Sequence, residues 1–528
     1  MPARLHPGVY VEEVPSGARS IEAAGTSTAI FVGETERGPL SPTKIKGIAD
    51  YERTFGGYKR HTLVPGAAAA VTLRYAMDVF FQNGGTTAYI LRAVVSSATT
   101  GARGPVEASS PGKWSENVRV VFADSSDVAN NPGGFRIFVV YQAPGAATAS
   151  IVERWDRLSV NPADENYAPD VLARSLYVRW SAGTPVAKPA VDAGVAGASP
   201  NDQAILGVAG AALINGAGGA LDHPLKDDGT NEGTLGTLLA LLDEVTDASL
   251  LVVPARLGEA DSTVEQRSSA AIAYAEGRPK QDLFCIADMP RHATAATPTL
   301  ATSQTVTSLG NITPKSNFGA AYFPWVEVSD PVGAGRDPTV MMGPNSAVAG
   351  LYARIDQRRG VWKAPAGLEA ALLGVRRIEF KLLDAHQDEL NPLGVNALRV
   401  QPAGGNLVWG ARTLQPASEW RYIPVRRTAI FLRTSIYNGI QWAVFEPNDE
   451  PLWSQLRLTI GGFMEQLFRQ GAFAGRTTRE AFFVKCDAET TPEIDQIAGI
   501  VNVWVGFAPL RPAEFVVVRL SQIVNQKA

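Results

Sequence analysis

Cysteine and histidine are almost absent from this chain, with two and five residues in 528. Cys285 and Cys486 both fall in apolar strand-like runs, where a thiol behaves as a small hydrophobe. Two cysteines in so long a chain make no disulfide framework, which points to assembly in a reducing compartment, the cytoplasm. None of His6, His61, His223, His292 and His386 has a partner at metal-ligand spacing, and no paired CxxC occurs, so no metal is expected. A run of about 18 apolar residues is also missing, so no membrane insertion is expected. The opening residues, MPARLHPGVYVEEV, lack the apolar stretch of a signal peptide. Nor is there an excess of positive charge: 48 Lys and Arg against 52 Asp and Glu give −4. That balance argues against a direct nucleic-acid partner.

The signatures of catalysis fail one by one. The Gly-rich stretch INGAGGALDH, Ile214 to His223, starts like a dinucleotide loop, but Leu221 stands where the third glycine belongs. No GxxxxGK[ST] occurs. GTST, Gly25 to Thr28, is similar to the serine segment of subtilisin-like proteases, yet Ser27 precedes a strand instead of opening a late helix. Asp288 ends a strand and His292 follows four residues later, with no later nucleophile to complete a triad. The carboxylate pairs Glu12/Glu13 and Asp227/Asp228 read as solvated surface. No catalytic residue, cofactor or metal site is expected.

What the chain does have is ample core material, 45% hydrophobic residues, and a length that calls for several domains. Residues 1–24 read as an arm. Within it Gly8, Val9, Tyr10, Val11 and Glu12 form an alternating strand pattern bracketed by Pro7 and Pro15. Residues 25–94 begin an α/β core, with a strand at Ala29–Val32, a helix at Pro65–Gln82 stopped by Asn83-Gly84-Gly85, and a strand at Thr86–Ala93. Residues 95–235 are rich in Gly, Ala, Ser and Pro. Their short β-like runs, Val118–Phe122, Phe135–Tyr141, Ser150–Trp155 and Ser175–Trp180, predict an inserted β-rich, sandwich-like module. Ala182–Gly219 reads as loop and linker.

The α/β rhythm resumes over 236–360. Helices are expected at Leu235–Val245, Ser262–Glu276 and Asn345–Gln357, and strands at Ser249–Ala255, Asp282–Pro290 and Gly319–Val328. Continuous apolar strands alternating with helices predict a parallel sheet covered on both faces. Residues 361–510 read as a C-terminal α+β domain. After Pro451, Trp453, Leu456, Ile460, Phe463 and Leu467 recur at helical spacing. Gly461 and Gly462 cost that helix roughly 2 kcal/mol, which suggests close approach by another backbone or a bend. Arg421, Arg426, Arg427 and Arg433, with Arg457 and Arg469, are candidates for a basic surface facing an acidic protein. Residues 511–528 form a second arm, in which Phe515, Val516, Val517, Val518 and Arg519 make a strand apolar on both faces.

The wording of the last quarter is specific. LNPLGVNALRV, VWGARTL, QWAVFEPND, PLWSQLRLTIGGFMEQLFRQGAFAG, EAFFVKCD and VGFAPLRPAEFVVVRLSQ follow in order from Leu390 to Gln522. With AVAGLYARIDQRRGVWKAPAG at Ala347–Gly367, and PGVYVEEV and TAIFVGETERGPL near the start, this chain resembles the contractile tail sheath proteins of phages, tailocins and extracellular injection particles. The resemblance is loosest over 95–235.

That resemblance implies a subtilisin-like α/β core without its catalytic triad, a β-rich outer insertion, a C-terminal α+β domain facing the tube, and strand arms at both ends. It implies stacked hexameric rings around an inner tube protein, contacts with baseplate and tail terminator or cap proteins, and contraction that drives the tube through a target envelope. The arms would add strands to a neighbour's sheet, and 24 residues reach at most roughly 80 Å. Arg457 and Arg469 are the candidate tube-facing residues. The rival readings are an α/β hydrolase-like or nucleotide-binding enzyme with a β insertion, and a static shell.

Overall fold

The computed structural model describes residues 20–58, 60–62, 69–71, 73–93, 101–111, 113–128, 133–142, 147–181, 186–193, 195, 200–208, 235–333 and 336–515. Two compact units emerge: Gly25–Arg426, and a second formed by Met1–Ala24 with Arg427–Ala528.

The larger unit is built on an eight-stranded sheet. Its order is Gly405–Val408, Val395–Gln401, Gly319–Phe323, Phe284–Asp288, Leu250–Val252, Ala29–Gly33, Ala88–Arg92 and Thr43–Ile45. The six inner strands run parallel and the two outer ones antiparallel. The inner runs are apolar residue after residue because both faces are covered. Register shows how. Cys285 lies beside Gly319, and a Cβ on Gly319 would strike Ile272 of the Asp261–Gly277 helix at 2.9 Å. The neighbouring Phe284 points the other way, toward Tyr352 of the Asn345–Arg359 helix. That helix crosses the Leu73–Gln82 helix closely, since a Cβ on Gly350 would meet the Phe80 carbonyl at 2.3 Å.

The 95–235 stretch carries two three-stranded antiparallel sheets. One joins Val118–Asp124, Phe135–Tyr141 and Ser150–Leu158, and the other Ala102–Arg103, Val106–Ala108 and Val178–Trp180. They share one core around Trp114, Val120, Ile137 and Val178. Alternate residues Val121, Phe138 and Val140 pack instead against Val195 and Ile205. Buried arginines fasten this module to the sheet. Arg92 donates to the carbonyls of Gly38 and Pro111, and Arg37 stacks 4.4 Å from the Tyr177 ring centre.

Several expectations change. An unexpected helix, Ile48–Phe55, comes first, and the helix expected over Pro65–Gln82 begins at Leu73; Ala69–Val71 instead pairs as a strand with Arg60–Thr62. The alanine-rich run there has too few large side chains to fix a helical face. Gly319–Val328 is two strands, broken at Phe323-Pro324, and Val326–Ser329 joins Thr339–Met342 and Val375–Ile378 in a separate sheet. Proline has no N–H to offer a ladder. Within the expected linker, Asn201 caps a short helix, Asp202–Gly207, that buries Ile205. Residues 361–426 do not group with the C-terminal part, because Val395–Gln401 extends the parallel sheet. The expected basic surface is partly internal. Arg427 is buried, and Arg426 lies 3.7 Å from the centre of the Phe318 ring.

Candidate assembly surfaces and the filled crevice

In an open parallel sheet, ligands bind beyond the carboxyl ends of the strands, where strand order reverses. Here that point lies between Ala29–Gly33 and Leu250–Val252, which are neighbours although the chain after Gly33 turns the other way to Ala88–Arg92. The residues there are Glu34 after the first strand and Arg256 after the second. Arg256 donates to Glu34 and, at 2.8 Å, to Glu259; Arg267 donates to both Glu259 oxygens. All four side chains are buried. Arg267 and Arg256 hold the Glu259 carboxyl below its usual range against the pull of burial.

Asp288, at the end of the next strand, is equally engaged. Its carboxyl oxygens accept the backbone N–H groups of Ala255 (3.1 Å) and Asn345 (2.9 Å), and burial pushes its pKa up to about 7. His292 faces Asp261 at 3.0 Å. Asp288 and His292 therefore serve different partners, and Ser27 sits before the first strand. The place an enzyme would keep open is occupied by the chain's own ion pairs and hydrogen bonds. The Ile214–His223 loop lies outside the described residues. Among the described residues no group of three or more His, Cys, Asp or Glu can hold a metal ion, and no helix is long and apolar enough to cross a membrane.

The C-terminal unit presents surfaces instead. Its main helix, Glu450–Arg469, starts at Asp449, whose carboxylate accepts the Leu452 N–H, and Pro451 fits its first turn. Leu452, Trp453, Leu456, Ile460, Phe463, Met464 and Leu467 are buried along one stripe. Leu458 and Gly462 are exposed opposite. Among the described residues a Cβ on Gly461 or Gly462 would meet nothing within 4 Å, so neither glycine admits a close backbone from among them. The two arginines expected on this helix differ. Arg457 bonds the Cys486 carbonyl and pairs with Glu450 at 2.5 Å. Arg469 is three-quarters exposed and, among the described residues, pairs along the helix with Glu465 at 2.6 Å.

Packed on the helix is a two-stranded sheet, Phe482–Lys485 with Trp504–Phe507. No further strand joins this pair among the described residues; just past Phe507 the Ala474 N–H donates to the Ala508 carbonyl at 2.9 Å, and Phe473 bridges Pro509. Residues 20–24 dock in the same unit: Ile21 is buried against Gly439, and the Ala24 N–H donates to Ser435 Oγ at 2.9 Å. Gly8, Val9, Tyr10, Val11 and Glu12 of the first arm lie outside the described residues. So do Val516, Val517, Val518 and Arg519 of the second, while Phe515 is described and largely exposed.

One feature escaped the sequence. The Glu446 N–H returns to the Ala443 carbonyl at 3.3 Å, Val444 has φ −69° and ψ 130°, and Phe445 has φ 70°. This is a type II turn with phenylalanine where glycine belongs. A side chain held there costs about 1–3 kcal/mol.

Two family models match adjoining stretches: the phage tail sheath protein central domain over residues 229–414 and the phage tail sheath C-terminal domain over 415–523. Together they take in more than half of the chain. The chain belongs to the phage tail sheath family. The tail sheath protein of Vibrio phage KVP40 is 30% identical over 162 residues, covering 30% of this chain and 23% of that protein. The matched stretch spans no more than half the length of the curated relatives. Among solved structures, the contracted sheath of the extracellular contractile injection system PVC aligns with TM-score 0.57 at 21% identity, covering 99% of both chains. The contracted helical sheath of the anti-feeding prophage aligns with TM-score 0.56 at 22% identity, over 98% of this chain and all of that one. The family is structural and not enzymatic.

Proposed function

We propose that this chain is the repeating subunit of a contractile sheath, polymerising as stacked hexameric rings around an inner tube and shortening to drive that tube through a target envelope. The observation that carries the reading is the two-stranded sheet of the C-terminal unit, which no third strand joins among the described residues. A two-stranded pair is marginal by itself and gains from added strands. Strand addition supplies main-chain hydrogen bonds without requiring a matching side chain. The arm strands Gly8–Glu12 and Phe515–Arg519, donated by neighbouring copies, are the strands proposed to extend that pair. Bodies joined through such strands turn relative to one another without separating, which lets a lattice change pitch.

The α/β unit contributes rigid bulk. We assign it no catalytic role, and no nucleotide or cofactor is required. Assembly is proposed to occur in the cytoplasm, with the subunit leaving the cell only inside a particle. The inner tube is the proposed partner of the Glu450–Arg469 helix, through Arg469 before Arg457 because Arg457 is already held by Glu450 and Cys486. Baseplate and tail terminator or cap proteins are the proposed partners at the two ends of the polymer.

Negative-stain microscopy of the purified full chain, alone and with its tube protein, tests the reading. Hollow cylinders of two distinct pitches are expected. Small monodisperse particles at every salt and protein concentration would favour the enzyme rival, and a single invariant pitch would favour a static shell.

A further inference from the structure

The turn that leads into the Glu450–Arg469 helix is built against its own sequence. Phe445 is the one apolar residue in the left-handed region among the described residues, and its side chain is fully exposed, at 102% of the reference area. A ring held in a disfavoured backbone and covered by none of the described residues points to a partner outside them. The surface continues. The Asn448 side chain donates to the Ile500 carbonyl at 3.0 Å, joining the turn to the segment that carries the exposed Ile494 and Ile497. Glu446 follows Phe445 and Glu493 precedes Ile494, and both are exposed, so acids accompany the apolar residues of both segments.

The opposite end of the helix is different in kind. Twenty helical residues span about 30 Å. Beyond its C-terminus lie Arg476 and Arg479, both exposed. The exposed Phe483 ring follows them, lying so close over Gly506 that a Cβ there would sit 2.2 Å from it. One end is therefore apolar with Glu446 and Glu493, and the other aromatic with two arginines beside Glu480, whose carboxylate accepts the Arg476 N–H at 2.7 Å.

We propose that Phe445 anchors a head-to-tail contact between copies of this chain, its ring and Ile494 seating on the Arg476, Arg479 and Phe483 end of the next copy. The proposal rests on the sheath reading. Contacts between two unlike surfaces of identical subunits propagate into rings or helices, which is the geometry a sleeve requires. The inner tube is the weaker occupant, because the tube surface proposed for Arg469 is acidic and would repel Glu446 and Glu493.

Benzoylphenylalanine placed at 445 and irradiated in assembled polymer is the direct test. A covalent dimer is expected, with the attached peptide mapping to residues 476–483 of a second copy. Attachment to the tube protein, to residues 1–19 or 516–528, or to no second copy overturns the proposal. Phe445→Gly provides the second arm. Glycine relaxes the turn, so the isolated chain should melt no lower than wild type, while the concentration needed for polymerisation rises roughly 30-fold, as for loss of an interface hot spot. Phe445→Gly sleeves at the wild-type concentration overturn the contact alone. Failure of the wild-type chain to form sleeves under any condition overturns the sheath reading first.

Discussion

The two compact units place their apolar side chains differently. In Gly25–Arg426, large side chains are drawn inward, and even charged groups such as Arg92, Arg256 and Arg267 are buried with partners. Residues 427–515 are under a fifth of the chain, yet they carry half of the exposed large apolar residues among those described. Val444, Phe445, Ile494, Ile497, Phe483 and Trp504 are all open there. The larger unit is complete as one molecule. On the sheath reading, the smaller is finished when other chains cover it, as the part through which the polymer is joined.

The comparison can be broken most sharply at the chain ends. Deleting 516–528 is expected to abolish sleeves in negative stain while leaving the melting temperature of the globular parts unchanged. Deleting 1–19 should spare folding and prevent an ordered change of pitch. Contractile sleeves from either truncated chain would remove that arm from the mechanism. The next largest effect lies inside the larger unit. Arg267→Met leaves Glu259 buried beside one cation instead of two and should cost roughly 3–5 kcal/mol, read from chemical denaturation. A loss below about 1 kcal/mol would mean that the crevice is not closed by this network.

Asp288 gives a pH signature confined to the larger unit. Its folded pKa of about 7 lies above the unfolded value near 3.9, so the folded state holds the proton more tightly. Its contribution to stability is fully present below the unfolded value and is lost as pH rises through the folded one. The swing is at most ~4 kcal/mol. Asp288→Asn should remove that component from melting curves taken between pH 4 and pH 8, and an unchanged pH slope would contradict it. Gly462→Ala should stabilise the isolated chain by about 1 kcal/mol, because its Cβ meets open space and alanine favours the helix. If it also blocks assembly, a neighbouring chain uses the gap. Smallest of all, Arg469→Glu should change stability by less than about 0.5 kcal/mol while weakening co-sedimentation with the tube protein.

Much of the larger unit was legible in the sequence. Strands such as Phe284–Asp288 and Gly319–Phe323 are short unbroken apolar runs, and only a sheet covered on both faces needs them. The Glu450–Arg469 helix was legible through its stripe and Pro451, while its Asp449 cap came only with the structure. By contrast, the Pro298–Asn311 helix hid because its buried face is Ala301, Thr302, Thr305, Ser308 and Leu309, with a single large apolar side chain and so no stripe. The Glu34–Arg256 pair hid for another reason. Its members are 222 residues apart, and charged residues at strand ends read as surface until the fold encloses them. Phe445 gave no signal because a phenylalanine that ends the apolar run Trp442-Ala443-Val444 does not announce its φ angle.

The ion pairs that plug the sheet's carboxyl edge bear on where a machine of this kind gets its power. A motor that burns fuel keeps a mouth open for it. This subunit has sealed that mouth with Glu34, Arg256, Glu259 and Arg267. On the sheath reading, the stroke is therefore wound in while the copies are laid down, and it discharges once, like a cocked spring with no crank.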